Sequence, residues 1–250
     1  MKKFYREVQA LKIKEGYSIR LDGKPLKTPS GKWFLVPFLP LAEAVAAEWD
    51  TQKTEIRPRE MFLTQLSNTV IDKVSVNRQA VVDEILGYIE TDLVCYRASE
   101  PKALKKKQTE CWDPLLSWLG EKYNIKLYQT KNLLPLQQPP ESFSKFLELI
   151  VELDDFLLGG LHKMVLTLGS LVVSFAVLDG LFDSEAACKA SLVDEVFQVQ
   201  KWGADEDFRI RSETLRLEIK ATTTFLELCA GMERAKKNGR FLPLSRTSLQ

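Results

Sequence analysis

The sequence predicts an α+β fold in which a small, β-rich N-terminal domain (residues 1–75) precedes a larger, mainly helical C-terminal domain (residues 76–250). Two observations support this prediction. Extended segments separated by turn residues fill residues 16–37, whereas apolar residues recur at helical spacing over most of the chain that follows. Because the strands come first and do not alternate with helices, the pattern favours α+β over a doubly wound parallel sheet.

Three short strands are predicted in the N-terminal domain, over residues 17–21, 25–28 and 33–36. An Asp-Gly turn follows the first strand, and glycine accepts the positive φ that tight hairpin turns need. So small a meander needs a cover for its apolar face. The residues expected on that face are Tyr17, Ile19, Leu21 and Phe34.

The next two predicted helices can supply this cover. Pro40 suits the first turn of a helix, and Leu41, Val45 and Trp49 follow on one face of it, four residues apart. We therefore expect Trp49 to lie in the core. A second helix is predicted over residues 59–74.

The chain beyond residue 75 is predicted to be mostly helical, apart from a surface connection over residues 127–140 in which three prolines exclude a helix. Pro114 is expected to break one helix. For the last helix, three consecutive threonines favour an end near Ala221, earlier than the end near residue 228 that the apolar spacing gives. The tail after Gly231 is expected to be loose. The predicted helices cover residues 76–91, 102–123, 141–154, 157–178, 184–200 and 205 to about 228.

Composition argues against several classes of partner. With 35 basic and 34 acidic residues, the formal net charge of +1 gives no overall field that would draw the chain to nucleic acid or to an anionic membrane. The longest uncharged apolar run, residues 164–178, is only 15 residues long. A bilayer span needs roughly 20, so we interpret this run as a helix buried in the core. The first residues match neither a secretory signal nor a transit peptide, and the expected location is the cytoplasm.

The sequence contains no signature of a catalytic, cofactor or metal site. The one histidine, His162, is not part of a catalytic motif, and the four cysteines lack the spacing of thiolate metal ligands. A hydrolase that combines His162 with Asp154 and Asp155 is the alternative from another class, because a titratable histidine near two acids can perform acid–base chemistry.

Two charged runs have ordinary explanations. The basic residues at 102–107 stand without interleaved aromatic residues, so we interpret them as a solvated helix face and not as a nucleic-acid site. Asp205, Glu206 and Asp207 come where a helix should begin, and acids in a first turn are stabilised by the helix dipole. That role is compatible with partner binding.

Several blocks of aromatic and charged residues belong to no catalytic pattern. They lie at residues 4–5, 21–29, 47–50, 91–97, 112–115, 166–170 and 200–203. In this order and at these intervals, the blocks resemble the ATP synthase assembly chaperone family that binds the alpha subunit of the catalytic head. The resemblance runs from about Phe4 to Leu228, nearly the whole chain, which makes it more specific than any single motif.

The resemblance implies the two-part architecture described above and a function without catalysis. A chaperone of this family is expected to hold the free alpha subunit, to cover its beta-facing surface, to need no cofactor and to be a monomer when free. Eukaryotic relatives would act in the mitochondrial matrix. By motif, the expected partner-binding residues are Trp202, Asp205, Glu206 and Asp207. An interaction domain for another client is a further alternative.

Overall fold

The structure, a computed structural model, describes residues 1–132, 134–203 and 206–230. An antiparallel sheet opens the chain, with strands β1 (Val8–Ile13), β2 (Gly16–Leu21), β3 (Lys24–Pro25) and β4 (Leu35–Val36). Strand β2 is central, because it pairs with β1 on one side and with β3 and β4 on the other. Ten α-helices follow the sheet in the described part of the chain, which confirms the predicted α+β class.

Strand β1 was missing from the sequence prediction. Its residues are half-buried or exposed, so the strand lacks the regular alternation that marks a buried face. The turn into β2 also lacks an Asn-Gly or Asp-Gly pair and depends instead on Gly16, at φ 141°. A Cβ on Gly16 would lie 2.8 Å from the carbonyl oxygen of Val36, so β4 can approach β2 only because this residue is glycine.

Helix α1 (Leu39–Asp50) covers one face of the sheet, as predicted. Leu41, Val45 and Trp49 are buried on it. Ile19 of β2 and Phe34, the residue before β4, are fully buried in the same hydrophobic cluster. Tyr17, expected on the same face, is only partly buried. Burial of these apolar side chains stabilises the sheet, which could not persist alone.

The single helix predicted over residues 59–74 is divided into three pieces. A 3₁₀ turn (Pro58–Glu60) leads into α2 (Phe62–Thr69), which continues into a π-helical turn (Val70–Val74). The Glu48 carboxylate caps α2 by accepting hydrogen bonds from the backbone N–H groups of Leu63 and Thr64, at 2.7 and 2.8 Å. A long-range side chain therefore sets where this helix begins, and no local pattern could show it.

The remaining helices pack around a common core. They are α3 (Arg78–Gly87), α4 (Lys102–Tyr123), α5 (Pro140–Val151), α6 (Asp155–Leu168), α7 (Leu171–Leu178), α8 (Ser184–Ser191), α9 (Val193–Trp202) and α10 (Glu206–Ala230). Buried side chains from the sheet, from α1 and from these helices join one hydrophobic cluster, which runs across the predicted domain boundary at residue 75. Most of residues 164–178 lie in this cluster, and no helix among the described residues is long and apolar enough to cross a membrane.

Two of the predicted helices are each two helices. The one predicted over residues 157–178 ends at Gly169, which adopts φ 64°, and restarts at Ser170, whose hydroxyl accepts the N–H of Val173. The one predicted over residues 184–200 is interrupted at Leu192, which leaves helical geometry with ψ 18°.

Two predicted breaks are wrong. Pro114 lies inside α4, which continues unbroken because Trp112 and Leu115 are buried on either side of it. The threonines do not end α10 near Ala221. The hydroxyls of Thr222 and Thr223 donate to carbonyls four residues earlier, at 2.8 and 2.9 Å, so both residues satisfy their polar groups within the helix.

Candidate partner-binding surface

One long surface segment has no fully buried residue. Between Leu192 and Glu218, every described residue is exposed or only partly buried, although the segment comprises all of α9 and the first three turns of α10. We call residues 193–203 and 206–217 the α9–α10 surface. Helices in globular proteins normally bury one apolar stripe, so this segment is not stabilised in the usual way.

The α9–α10 surface exposes large apolar side chains. Trp202 is 70% exposed, Ile210 58% and Leu217 49%. Ile210 and Leu217 lie seven residues apart, two turns of helix, and therefore share a face of α10. Exposed apolar groups that share one face of a helix are typical of a surface that a partner covers.

Trp202 lies at the end of α9, where Gly203 terminates the helix at φ 90°. The Lys201 ammonium lies 5.0 Å from the centre of the Trp202 ring, and the indole is otherwise turned to solvent. Large aromatic side chains with this exposure are the residues that most often dominate binding energy at protein interfaces.

The acidic residues expected beside Trp202 are only partly within the described chain. Glu206 and Asp207 are exposed in the first turn of α10, where the helix dipole favours them. Glu206 lies 3.8 Å from Arg209, one turn further on. Asp205 lies outside the described residues.

Polar contacts with α4 hold α9 in place. The Gln108 amide donates to the carboxylate of Asp194 at 2.7 Å. Lys107 donates to the side-chain oxygen of Gln200, and its ammonium lies 5.6 Å from the centre of the Phe197 ring. One lysine of the basic run thus has a structural contact, and α9 is oriented without a buried apolar stripe.

The sequence analysis predicts Trp202 as a binding residue and does not include Ile210 and Leu217, which the structure shows to be exposed. Both fit the helical period of α10, and from the sequence they could equally have belonged to its buried stripe. Ile219, Phe225 and Leu226 form that stripe instead. Exposure distinguishes the two faces of α10, and the sequence does not show it.

Two of the sequence blocks meet at a buried carboxylate. Asp92 is fully buried and accepts hydrogen bonds from the Ser170 hydroxyl at 2.7 Å, from the Val172 N–H at 3.0 Å and from the Val94 N–H at 3.1 Å. Burial raises the pKa of Asp92 to about 6, and the hydrogen bonds oppose that rise. The carboxylate thereby joins the turn before α4 to the start of α7.

A third block joins the same region. The Arg97 guanidinium lies 2.8 Å from the Asp113 carboxylate and 5.2 Å from the centre of the Trp112 ring. The Trp112 indole N–H donates to the carbonyl of Ala190 at 2.8 Å, and the ring is fully buried. These residues connect α4 to α8, so their role in the fold is structural.

The structure does not bring the residues of the hydrolase alternative together. Asp154 caps α6 by accepting the N–H groups of Phe156 and Leu157, and burial raises its pKa. Asp155 pairs with Arg78 at 2.6 Å.

His162 lies 2.8 Å from the Glu84 carboxylate instead. It follows Asp154 by eight residues, which corresponds to about 12 Å along a helix. Among the described residues, no group of three or more histidine, cysteine or acidic side chains could hold a metal ion.

Comparisons with known proteins agree with this architecture. Residues 2–120 match the family described as ATP12 chaperone protein. The solved Atp12 from Paracoccus denitrificans is 34% identical, with a TM-score of 0.87, over 91% of this chain and 98% of that one. The Atu1473 protein of Agrobacterium tumefaciens is 33% identical, with a TM-score of 0.85, over 90% and 85% of the two chains. The mitochondrial atp12 protein of Schizosaccharomyces pombe is 27% identical over 92% of this chain and 83% of its own.

Proposed function

Because the chain belongs to the ATP12 chaperone family, we propose that it holds the free alpha subunit of the F-type ATP synthase and shields its beta-facing surface until the catalytic head assembles. Obligate subunit interfaces are large and apolar, often about 2,000 Å² or more, so an unpaired subunit is prone to wrong association. A reversible cover prevents this. It has to bind more weakly than the final partner, and it needs shape and apolar area, not reactive groups. The proposed compartment is the cytoplasm.

The observation that carries this proposal is the α9–α10 surface. Its large apolar side chains Trp202, Ile210 and Leu217 are exposed, and burial against a client would remove them from water at roughly 25 cal/mol per Å². Trp202 is proposed as the central anchor. Asp205, Glu206 and Asp207 are proposed to lie at its rim, where charges mainly affect the rate and specificity of association.

Co-purification with alpha subunit tests the function. The chain is co-expressed with a tagged alpha subunit, and the amount retained is measured at low and high salt. Wild type is expected to co-purify. The Trp202→Ala variant is expected to bind at least about thirtyfold more weakly, which corresponds to the roughly 2 kcal/mol that defines an interface hot spot.

Trp33→Ala is the matched control. Trp33 is also exposed, at 54%, and also has a lysine ammonium, that of Lys27, 4.6 Å from its ring centre, but it lies beside the N-terminal sheet. It is expected to bind like wild type. Equal affinities of wild type and Trp202→Ala would reject the anchor. Failure of alpha to co-purify with wild type would reject the function, and steady retention of a different protein would indicate another client.

A further inference from the structure

Strand β1 has a free edge. It pairs with β2 on one side, and no strand among the described residues lies on the other. The N–H of Asp22 donates to the carbonyl of Glu7 at 3.0 Å, so these two residues form a hydrogen-bonded pair and every second residue of β1 after Glu7 bonds to β2. Alternate residues of an antiparallel strand point their backbone groups to opposite sides, so Val8, Ala10 and Lys12 direct theirs away from β2. In the described part of the chain, no hydrogen bond reaches these three N–H and three C=O groups.

A second copy of the chain fits this edge poorly. The antiparallel register that uses all three outward residues places Ala10 opposite Ala10 and Val8 opposite Lys12 of the other copy. The same register brings Arg6 of each copy next to Lys14 of the other, at both ends of the pair. Like charges placed opposite each other destabilise strand pairs, so pairing of β1 with β1 of a second copy is disfavoured.

The side chains along the edge indicate what it would accept. Leu11 is 43% exposed, on the face of the sheet opposite to Ala10 and Ile19. Lys12 and Lys14 are exposed, form no ion pair among the described residues and outnumber the neighbouring Glu15. An extended segment with an apolar side chain beside Leu11 and a carboxylate beside Lys12 would satisfy both the backbone and the charge.

We propose that the free edge of β1 binds an extended, acidic-apolar segment of the client by adding it as a further strand to the sheet. This inference rests on the proposed function, because the client is taken to be the alpha subunit. It adds a second contact, made mainly by backbone hydrogen bonds, to the apolar contact of the α9–α10 surface. Backbone pairing supplies affinity, and Leu11 and Lys12 supply register.

Hydrogen exchange of individual amides in the complex with alpha subunit tests the edge. The amides of Val8, Ala10 and Lys12 are expected to exchange at least about tenfold more slowly in the complex, because each would then donate to the added strand. The Ala10→Pro variant removes one outward N–H without affecting a bond to β2, since proline is tolerated on an edge strand at such a position. It is expected to weaken binding about tenfold, whereas Ala10→Val, which keeps the N–H, should bind like wild type.

The outcomes separate this inference from the proposed function. A complex that forms with unchanged exchange at the three amides overturns the edge contact and leaves the function standing. Absence of any complex overturns both. If Ala10→Pro does not fold, as judged by circular dichroism, the exchange measurement on wild type still decides.

Discussion

The buried carboxylate of Asp92 makes stability depend on pH in an unusual direction. Its pKa is raised from the ordinary 3.8 to about 6, mainly because burial disfavours the charged form. The native chain therefore holds a proton over a range in which the unfolded chain has released it. Stability from this group is greatest at low pH and is lost as pH rises from about 4 through 6.

The size of the effect follows from the two pKa values. Relative to alkaline pH, Asp92 contributes on the order of 1 kcal/mol of stability at pH 5 and almost none at pH 7. The Asp92→Asn variant cannot titrate, and its amide group would face at least one backbone N–H that the carboxylate now accepts. The lost backbone hydrogen bond should cost about 1–3 kcal/mol, and this part of the cost does not depend on pH. The total advantage of wild type over the variant in unfolding free energy should therefore be larger at pH 5 than at pH 7, by on the order of 1 kcal/mol.

Urea denaturation at pH 5, 6 and 7 measures this difference, and Asp22→Asn supplies a control. Backbone N–H groups of Glu7 and Arg6 lower the pKa of Asp22, so the stability that Asp22 supplies is present well above the ordinary pKa of 3.8 and is lost only as pH falls below that value. The difference between wild type and Asp22→Asn should therefore stay constant from pH 5 to pH 7, unlike the difference between wild type and Asp92→Asn. A wild-type advantage over Asp92→Asn that is constant across the three pH values would refute the reasoning.

Two further substitutions test packing and capping. A Cβ on Gly160 would lie 2.5 Å from Leu226, so Gly160→Ala should lower the unfolding free energy by about 1–3 kcal/mol. A Cβ on Gly87 would have nothing within 4 Å, so Gly87→Ala should be neutral or slightly stabilising. Thermal melting compares the two variants, and equal midpoints would contradict the close packing at Gly160. Glu48→Ala should cost about 1–2 kcal/mol by uncapping α2, and an unchanged urea midpoint would show that the cap is dispensable.

Elements that bury a regular apolar stripe could be predicted from the sequence. The four-residue spacing of Leu41, Val45 and Trp49 located α1 and its buried face. Most of the apolar run over residues 164–178 is buried as expected, although the run is divided between two helices. In both cases the element forms because one face is buried, and that burial requires apolar residues at a regular spacing that is visible in the sequence.

Element boundaries that depend on distant contacts could not be predicted. Helix α2 begins where Glu48 caps it from α1, and β1 becomes a strand because β2 supplies its hydrogen bonds. Pro114 looked like a break, yet burial of Trp112 and Leu115 keeps α4 continuous. Tertiary packing outweighed local preference at each of these sites.

Only one of the three most exposed large apolar residues of the α9–α10 surface could be proposed from the sequence. The sequence blocks that carry the family resemblance include Asp92, Arg97 and Trp112, and these form buried joints in which each polar group needs a specific partner. Replacing such a residue leaves a buried group unsatisfied, so the residue type is tightly specified. Trp202 lies in one of these blocks and is predicted from the sequence as a binding residue, whereas Ile210 and Leu217 lie in none of them.

Surface binding places a looser demand on residue type than a buried joint does. An exposed apolar side chain such as Ile210 can be exchanged for another apolar side chain with little effect on folding, so a binding surface leaves a weak pattern in the sequence. Substitutions at Asp92 or Glu48 should therefore reduce the amount of folded chaperone without changing the affinity of each folded molecule. Substitutions at Trp202 should lower the affinity of each folded molecule without reducing the amount of folded chaperone. Measuring both quantities for each variant separates the residues that build the molecule from those proposed to bind its client.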